Sequence, residues 1–161
     1  MRKIAALLFL CFMPISLFAQ TYKMYQTRNY HNQLRLNTAT GEVLQMQDDG
    51  QSWKICDAME DGGETDNRFC LYETQNMWTF IMLDTFTGRL WQVQYDTKSL
   101  DNLLCVSINE EVLEAGNSSI FTIQPMTSMY QYYLISNKSG AMWQFQWTTK
   151  GPDYRWIKRV N

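Results

Sequence analysis

Three pairs of glutamines, each spaced two apart, are the most regular polar feature of this chain: Gln45 and Gln47, Gln92 and Gln94, Gln144 and Gln146. In an extended strand that spacing puts both amides on one face, each offering two N–H donors and a carbonyl acceptor. Such a wall suits two tasks, hydrogen-bonding the hydroxyls of a sugar or satisfying backbone groups between neighbouring structural units. A second recurring feature is an aromatic station: Tyr30 with His31, Met77 with Trp78, Met129 with Tyr130. Rings at loop lips stack on sugar faces or anchor a protein partner, and turned inward they cap a core. His31 is the only histidine and corresponds to Trp78 and Tyr130, which favours packing or stacking over metal ligation. The candidate ligand contacts are therefore Tyr30, His31, Trp78, Tyr130, Gln92 and Gln94.

Other chemistry is sparse. The acidic run Asp57, Glu60, Asp61, Glu64 and Asp66 lacks the ligand spacing of a calcium loop and reads as a solvated linker. No P-loop, Gly-x-Ser-x-Gly elbow, His-Glu-x-x-His helix or Cys-x-x-Cys pair occurs. A triad through His31 would assemble in space rather than in sequence, and no spacing singles out two carboxylates for glycoside cleavage. The pattern points to a non-catalytic protein without metal or cofactor.

The elements that must position these residues come from a threefold repeat. Tyr22–Asp48, Phe69–Tyr95 and Phe121–Trp147 align without a gap over 27 positions, with nine identities between the first two copies and six between the last two. Self-similarity at this period marks a repeat architecture. Within each copy, period-two runs open the unit (Tyr22 and Met24, Phe69 and Leu71, Phe121 and Ile123) and predict a first strand. A second strand carries Leu34 and Leu36, Ile81 and Leu83, or Tyr133 and Ile135. A turn follows, NTATG, DTFTG or SNKSG, in which Asn37, Asp84 or Ser136 accepts bonds from loop N–H groups and Gly41, Gly88 or Gly140 supplies positive φ. The third strand returns with the glutamine pair on one face and Leu44 and Met46, Trp91 and Val93, or Trp143 and Phe145 on the other. Short fourth strands are predicted near Trp53–Cys56, Leu103–Val106 and Trp156–Val160.

LDTFTGRLW, with Asp84, Thr87, Gly88 and Trp91, resembles the D-x-x-T-G-x-x-W hairpin of uncharacterised secreted β-repeat proteins of the Bacteroidetes type, and more loosely the blades of quinoprotein propellers. The resemblance implies a turn signature but no activity. Leu44 in place of Trp and Ser136 in place of Asp depart from it and argue against carrying over a quinone.

Arg2 and Lys3, the apolar run Ile4–Phe18 and the small residue Ala19 have the order of a secretory signal peptide, with residues 20–161 as a single all-β domain. Cleavage there leaves 12 basic against 16 acidic residues, no footprint for nucleic acid, and no membrane span. Export places Cys56, Cys70 and Cys105 in an oxidising compartment; a Cys56–Cys70 bridge is one arrangement, three small buried hydrophobes the other. Repeats over about 21–56, 68–106 and 120–160, with about four strands each, suggest a closed threefold, β-trefoil-like arrangement. The alternative is an open or oligomer-completed set of propeller-like blades, since propellers need at least four. The expected role is a secreted or periplasmic non-catalytic binding module for a glycan or envelope component, the alternative a protein-interaction or inhibitor protein of the envelope.

Overall fold

The computed structural model describes residues 21–114, 117, 118 and 120–161, and the signal segment expected over 1–19 lies outside the described residues. The chain is all-β. Its first sheet contains β1 (Tyr22–Gln26), β2 (Asn32–Asn37), β3 (Val43–Gln47) and β4 (Ser52–Cys56). The second contains β5 (Phe69–Glu73), β6 (Thr79–Asp84), β7 (Leu90–Gln94) and β8 (Leu104–Asn109). The third contains β9 (Phe121–Pro125), β10 (Gln131–Ser136), β11 (Met142–Gln146) and β12 (Trp156–Arg159). Each is an antiparallel meander whose strands pair in sequence order. The fourth strands fall where the sequence places them, preceded in the second and third sheets by short 3-10 turns at Leu100–Asn102 and Pro152–Tyr154.

The D-x-x-T-G turn is held by its own first side chain. In the second sheet Asp84 Oδ1 accepts from the Phe86 N–H at 3.0 Å and Oδ2 from the Thr87 hydroxyl at 2.6 Å, while Gly88 N–H returns to the Asp84 carbonyl at 2.9 Å. Asn37 does the same for Ala39 and Thr40, and Ser136 for Ser139. Gly88 closes the turn at φ +79°, left-handed backbone that disfavours a Cβ, and the ring of Phe121 lies close over it.

The sheets stack in chain order, with the second in the middle. One hydrophobic cluster joins Leu34, Leu36 and Val43 of the first sheet to Phe69, Leu71, Phe80, Met82, Trp91 and Val93 of the second. The other joins Ile81, Leu83 and Leu90 to Phe121, Ile123, Leu134, Trp143 and Phe145 of the third. Both faces of the middle sheet are thus covered, and every residue of β6 is buried. The outer sheets cover one face each, so β2 and β10 alternate between buried and half-buried. The described strands close into no barrel, and the single core shared by three repeats that a trefoil-like closure requires is replaced by two separate ones.

Cys56 on β4 and Cys105 on β8 form a disulfide across the first interface, Cα atoms 5.3 Å apart. This corrects the Cys56–Cys70 pairing. Cys70 pairs with Leu83 on β6 and packs against the cluster shared with the third sheet, so its side chain points away from Cys56. Cys70 remains a thiol, and burial pushes its pKa up to about 11.

Candidate functional site

The two ends of the stack differ in character. The turn end carries the three glycine hairpins and, on the second sheet, a network of four charges. Arg68 donates to both carboxylate oxygens of the fully buried Asp84, Nε to Oδ1 at 3.1 Å and Nη2 to Oδ2 at 2.7 Å, and reaches Asp61 Oδ2 at 2.9 Å. Arg89 also contacts Asp61 and Asp84. Burial alone would raise Asp84, but the bonds from Arg68, Thr87 and the Phe86 N–H outweigh it and hold the carboxyl below its usual range. Asp61 is held down in the same way by Arg68 and Arg89 against its own partial burial. Every carboxylate here is matched by a guanidinium, so the network secures the turn.

The opposite end gathers the first connection of each sheet, after β1, β5 and β9, and the third, after β3, β7 and β11. Here the aromatic stations lie. In the first connection of the second sheet, Thr74 Oγ1 donates to the Asn76 and Thr79 carbonyls, and Asn76 Oδ1 accepts from the Trp78 N–H at 2.8 Å. Thr27, Asn29 and His31 repeat this pattern in the first sheet, and Ser128 with Tyr130 keeps part of it in the third. These side chains are turn devices, and what they display is the residue at the station.

The stations differ in exposure. Trp78 is half-buried, its ring 5.3 Å from that of Tyr95 against the first interface. Tyr130 is half-buried 4.9 Å from the ring of Trp147. In the first sheet the corresponding pair is His31 and Asp48, with Nδ1 2.5 Å from Oδ2, and Tyr30 is 83% exposed with its ring 3.9 Å from that of His31. The cleft beside them is lined also by Gln33, Met46 and Gln47. The structure does not bring the six predicted residues into one site.

Gln45 and Gln92 are buried and join one sheet to the next. Gln45 Nε2 donates to the Asp96 carbonyl and Gln92 Oε1 accepts from the Thr148 N–H, the corresponding backbone position in each following sheet. Gln94 Nε2 donates to the Asn102 carbonyl within its own sheet, and Gln146 Nε2 does the same to Tyr154.

The last of these bonds forms a cleft that sequence reading missed. It measures about 130 Å³ and is lined by Tyr130, Gln146, Trp147, Thr148, Thr149, Lys150 and Tyr154. Pro152 starts the 3-10 turn that lifts Tyr154 to its rim, 51% exposed, with Lys150 Nζ 5.2 Å from the ring centre. Trp147 is fixed beneath, its indole N–H donating to the Met129 carbonyl at 3.0 Å. Two tyrosine rings, an amide, two threonines and an ammonium can stack on a sugar ring and bond its hydroxyls. Comparison with protein-family models, curated proteins and solved structures finds no match. Pro152 and Tyr154 stand where the second copy has Leu100 and Asn102, so comparing the copies carried no signal for the cleft. Among the described residues no group of three or more His, Cys, Asp or Glu side chains could hold a metal, and no helix is long and apolar enough to cross a membrane.

Proposed function

We propose that this chain is an exported, non-catalytic binding module, its three sheets arranged as blade-like units in series, that recognises a glycan of the envelope or its surroundings. The observation that carries the reading is the cleft of the third sheet, where Tyr130 and Tyr154 flank Gln146 and Lys150. Its make-up is that of sugar recognition: aromatic faces for the C–H side of the ring, amide and hydroxyl groups for the hydroxyls. The exposed Tyr30 beside the His31–Asp48 pair supplies a second contact of the same chemistry on the same end of the stack. Both clefts sit on connections braced by sheets, which keeps the rings in place before a ligand arrives.

A glycan array probed with the exported chain, the Tyr154→Ala variant and the Tyr30→Ala variant tests this. The expected result is a restricted set of bound glycans, lost with Tyr154→Ala and weakened with Tyr30→Ala. Absence of glycan binding, or binding indifferent to both substitutions, overturns the reading. A protein-interaction role is the second reading, favoured by the outer face of the first sheet, where Tyr22 is 49% and Met24 45% exposed.

A further inference from the structure

The two interfaces inside the chain are built by one rule. Thr38 O accepts from the Phe69 N–H at 2.8 Å, and one sheet later Thr85 O accepts from the Phe121 N–H at 3.0 Å. Tyr25 Oη accepts from the Leu71 N–H at 3.1 Å, and its counterpart Tyr72 packs against the cluster shared with the third sheet. Gln45 and Gln92 make the cross-sheet bonds described above. Gly41 lies under the ring of Phe69 and Gly88 under that of Phe121, each close enough that a Cβ would meet ring carbons at 3.0–3.2 Å. Each sheet therefore has a forward face that holds these groups and a rear face that receives them.

The third sheet repeats the forward face with no sheet in front of it among the described residues. Asn137 stands where Thr38 and Thr85 stand, Gln124 where Tyr25 and Tyr72 stand, and both are exposed. Gln144, the counterpart of Gln45 and Gln92, donates from its side chain to Gln131 of its own sheet, and nothing among the described residues lies within 4 Å of where a Cβ on Gly140 would sit. Tyr133, Ile135 and Met142 are half-buried, whereas their counterparts Ile81, Leu83 and Leu90 are fully buried. The first sheet repeats the rear face with no sheet behind it among the described residues. Tyr22 and Met24 stand where Phe69 and Leu71 do, and those are only 1% and 6% exposed against 49% and 45%. Leu44 and Met46 stand where Trp91 and Val93 are buried.

We infer that a second copy of this chain covers both faces, head to tail, the forward face of each third sheet against the rear face of the partner's first sheet. Two copies make this contact twice and close a ring of six sheets. A ring built from whole chains has a multiple of three sheets; three stay open here, and six is the one such number within the four to eight that closed rings of four-stranded sheets use. Gln33 and Arg35 replace the apolar Phe80 and Met82 on the receiving face, so the contact between chains is more polar than those within one and is reversible on dilution. This inference does not depend on the glycan reading, since the cleft at Tyr154 can be empty in an assembled ring.

Sedimentation equilibrium of the exported chain up to about 100 µM, enough to populate a complex of micromolar Kd, tests it alongside Met24→Glu and Ile135→Glu. The wild type is expected at twice the mass of one chain. Each variant, with circular dichroism unchanged, is expected at one-chain mass, its dissociation constant raised at least about 100-fold, at Ile135 by a carboxylate buried without a partner and at Met24 by one that the contact desolvates together with Arg35 across the strand pair. Tyr22→Glu and Gln144→Glu replace any variant that fails to fold. A wild type at one-chain mass overturns the inference. So does an assembly larger than two, or dispersal by only one of the two faces, which would mean a face-to-face rather than a head-to-tail contact.

Discussion

Replacing Arg68 by methionine removes the partner of a carboxylate with no solvent access, and the cost follows from what Asp84 keeps. It loses two bonds at 3.1 and 2.7 Å but retains the Thr87 hydroxyl, the Phe86 N–H and a longer contact to Arg89. Breaking a buried pair from one side costs about 3–5 kcal/mol, and the retained bonds place this case near the lower end, about 3 kcal/mol. For a domain of this length that lowers Tm by roughly 6–12 °C. The pH dependence supplies a sharper check. In the wild type Asp84 is held below its usual pKa, so its contribution is present above the unfolded value near 4 and is lost as pH falls through the folded one. In Arg68→Met the strongest bond opposing burial is lost, so the Asp84 pKa rises relative to wild type. The variant then has less stability to lose to acid, and its deficit against wild type shrinks as pH falls through the wild-type folded pKa. Urea unfolding of both proteins at several pH values, followed by tryptophan fluorescence, measures both effects. A cost below about 1 kcal/mol at pH 7, or a difference that does not shrink on acidification, refutes the assignment of a buried, pair-dependent carboxylate.

Four further outcomes are expected. Reducing the Cys56–Cys105 bridge, or replacing both residues by alanine, costs up to about 4 kcal/mol for a loop of 49 residues, read by urea unfolding. The Cys70 thiol, shifted up to about 11 by burial, reacts with a disulfide reagent at pH 8 only when the protein is unfolded; prompt labelling of the native protein would contradict its placement. Gly88→Ala combines strained backbone with a Cβ pressed on Phe121 and costs more than Gly50→Ala, at φ +85° in open space, which loses about 1–2 kcal/mol in thermal unfolding. Gln92→Leu strands the Thr148 N–H and destabilises by about 1–3 kcal/mol, whereas Gln94→Leu, whose amide is partly solvated, costs less.

Strand order, hairpin turns and fourth strands were legible because each rests on local chemistry: alternation, an Asx-type first residue and a glycine at positive φ. The relation between repeats was harder to read, since it depends on which faces are covered. The clue lies in TFIMLD of β6, an unbroken apolar run that buries both faces, beside the alternating NQLRLN of β2. The equally apolar QYYLIS of β10 breaks the analogy, because its Tyr133 and Ile135 face outward. The bridge, left open by the sequence, rests on the same coverage of faces: β5 alternates, so Cys70 points to the third sheet while Phe69 and Leu71 point to the first. Of the predicted contacts, Tyr30, His31 and Tyr130 line clefts. Trp78 packs on Tyr95, Gln92 bridges two sheets, and Gln94 braces its own connection. Tyr154 could not be found by comparing copies, because its counterpart is Asn102 and its position depends on a turn outside the aligned segment.

The most direct test of the binding account follows the Trp147 indole N–H, which donates to the Met129 carbonyl within the cleft. In a heteronuclear NMR titration with a glycan that the chain binds on the array, this resonance should shift saturably, and Tyr154→Ala should abolish the shift. Movement confined to the indoles of Trp53, Trp78 or Trp156, with Trp147 unchanged, would place the ligand elsewhere and contradict the account.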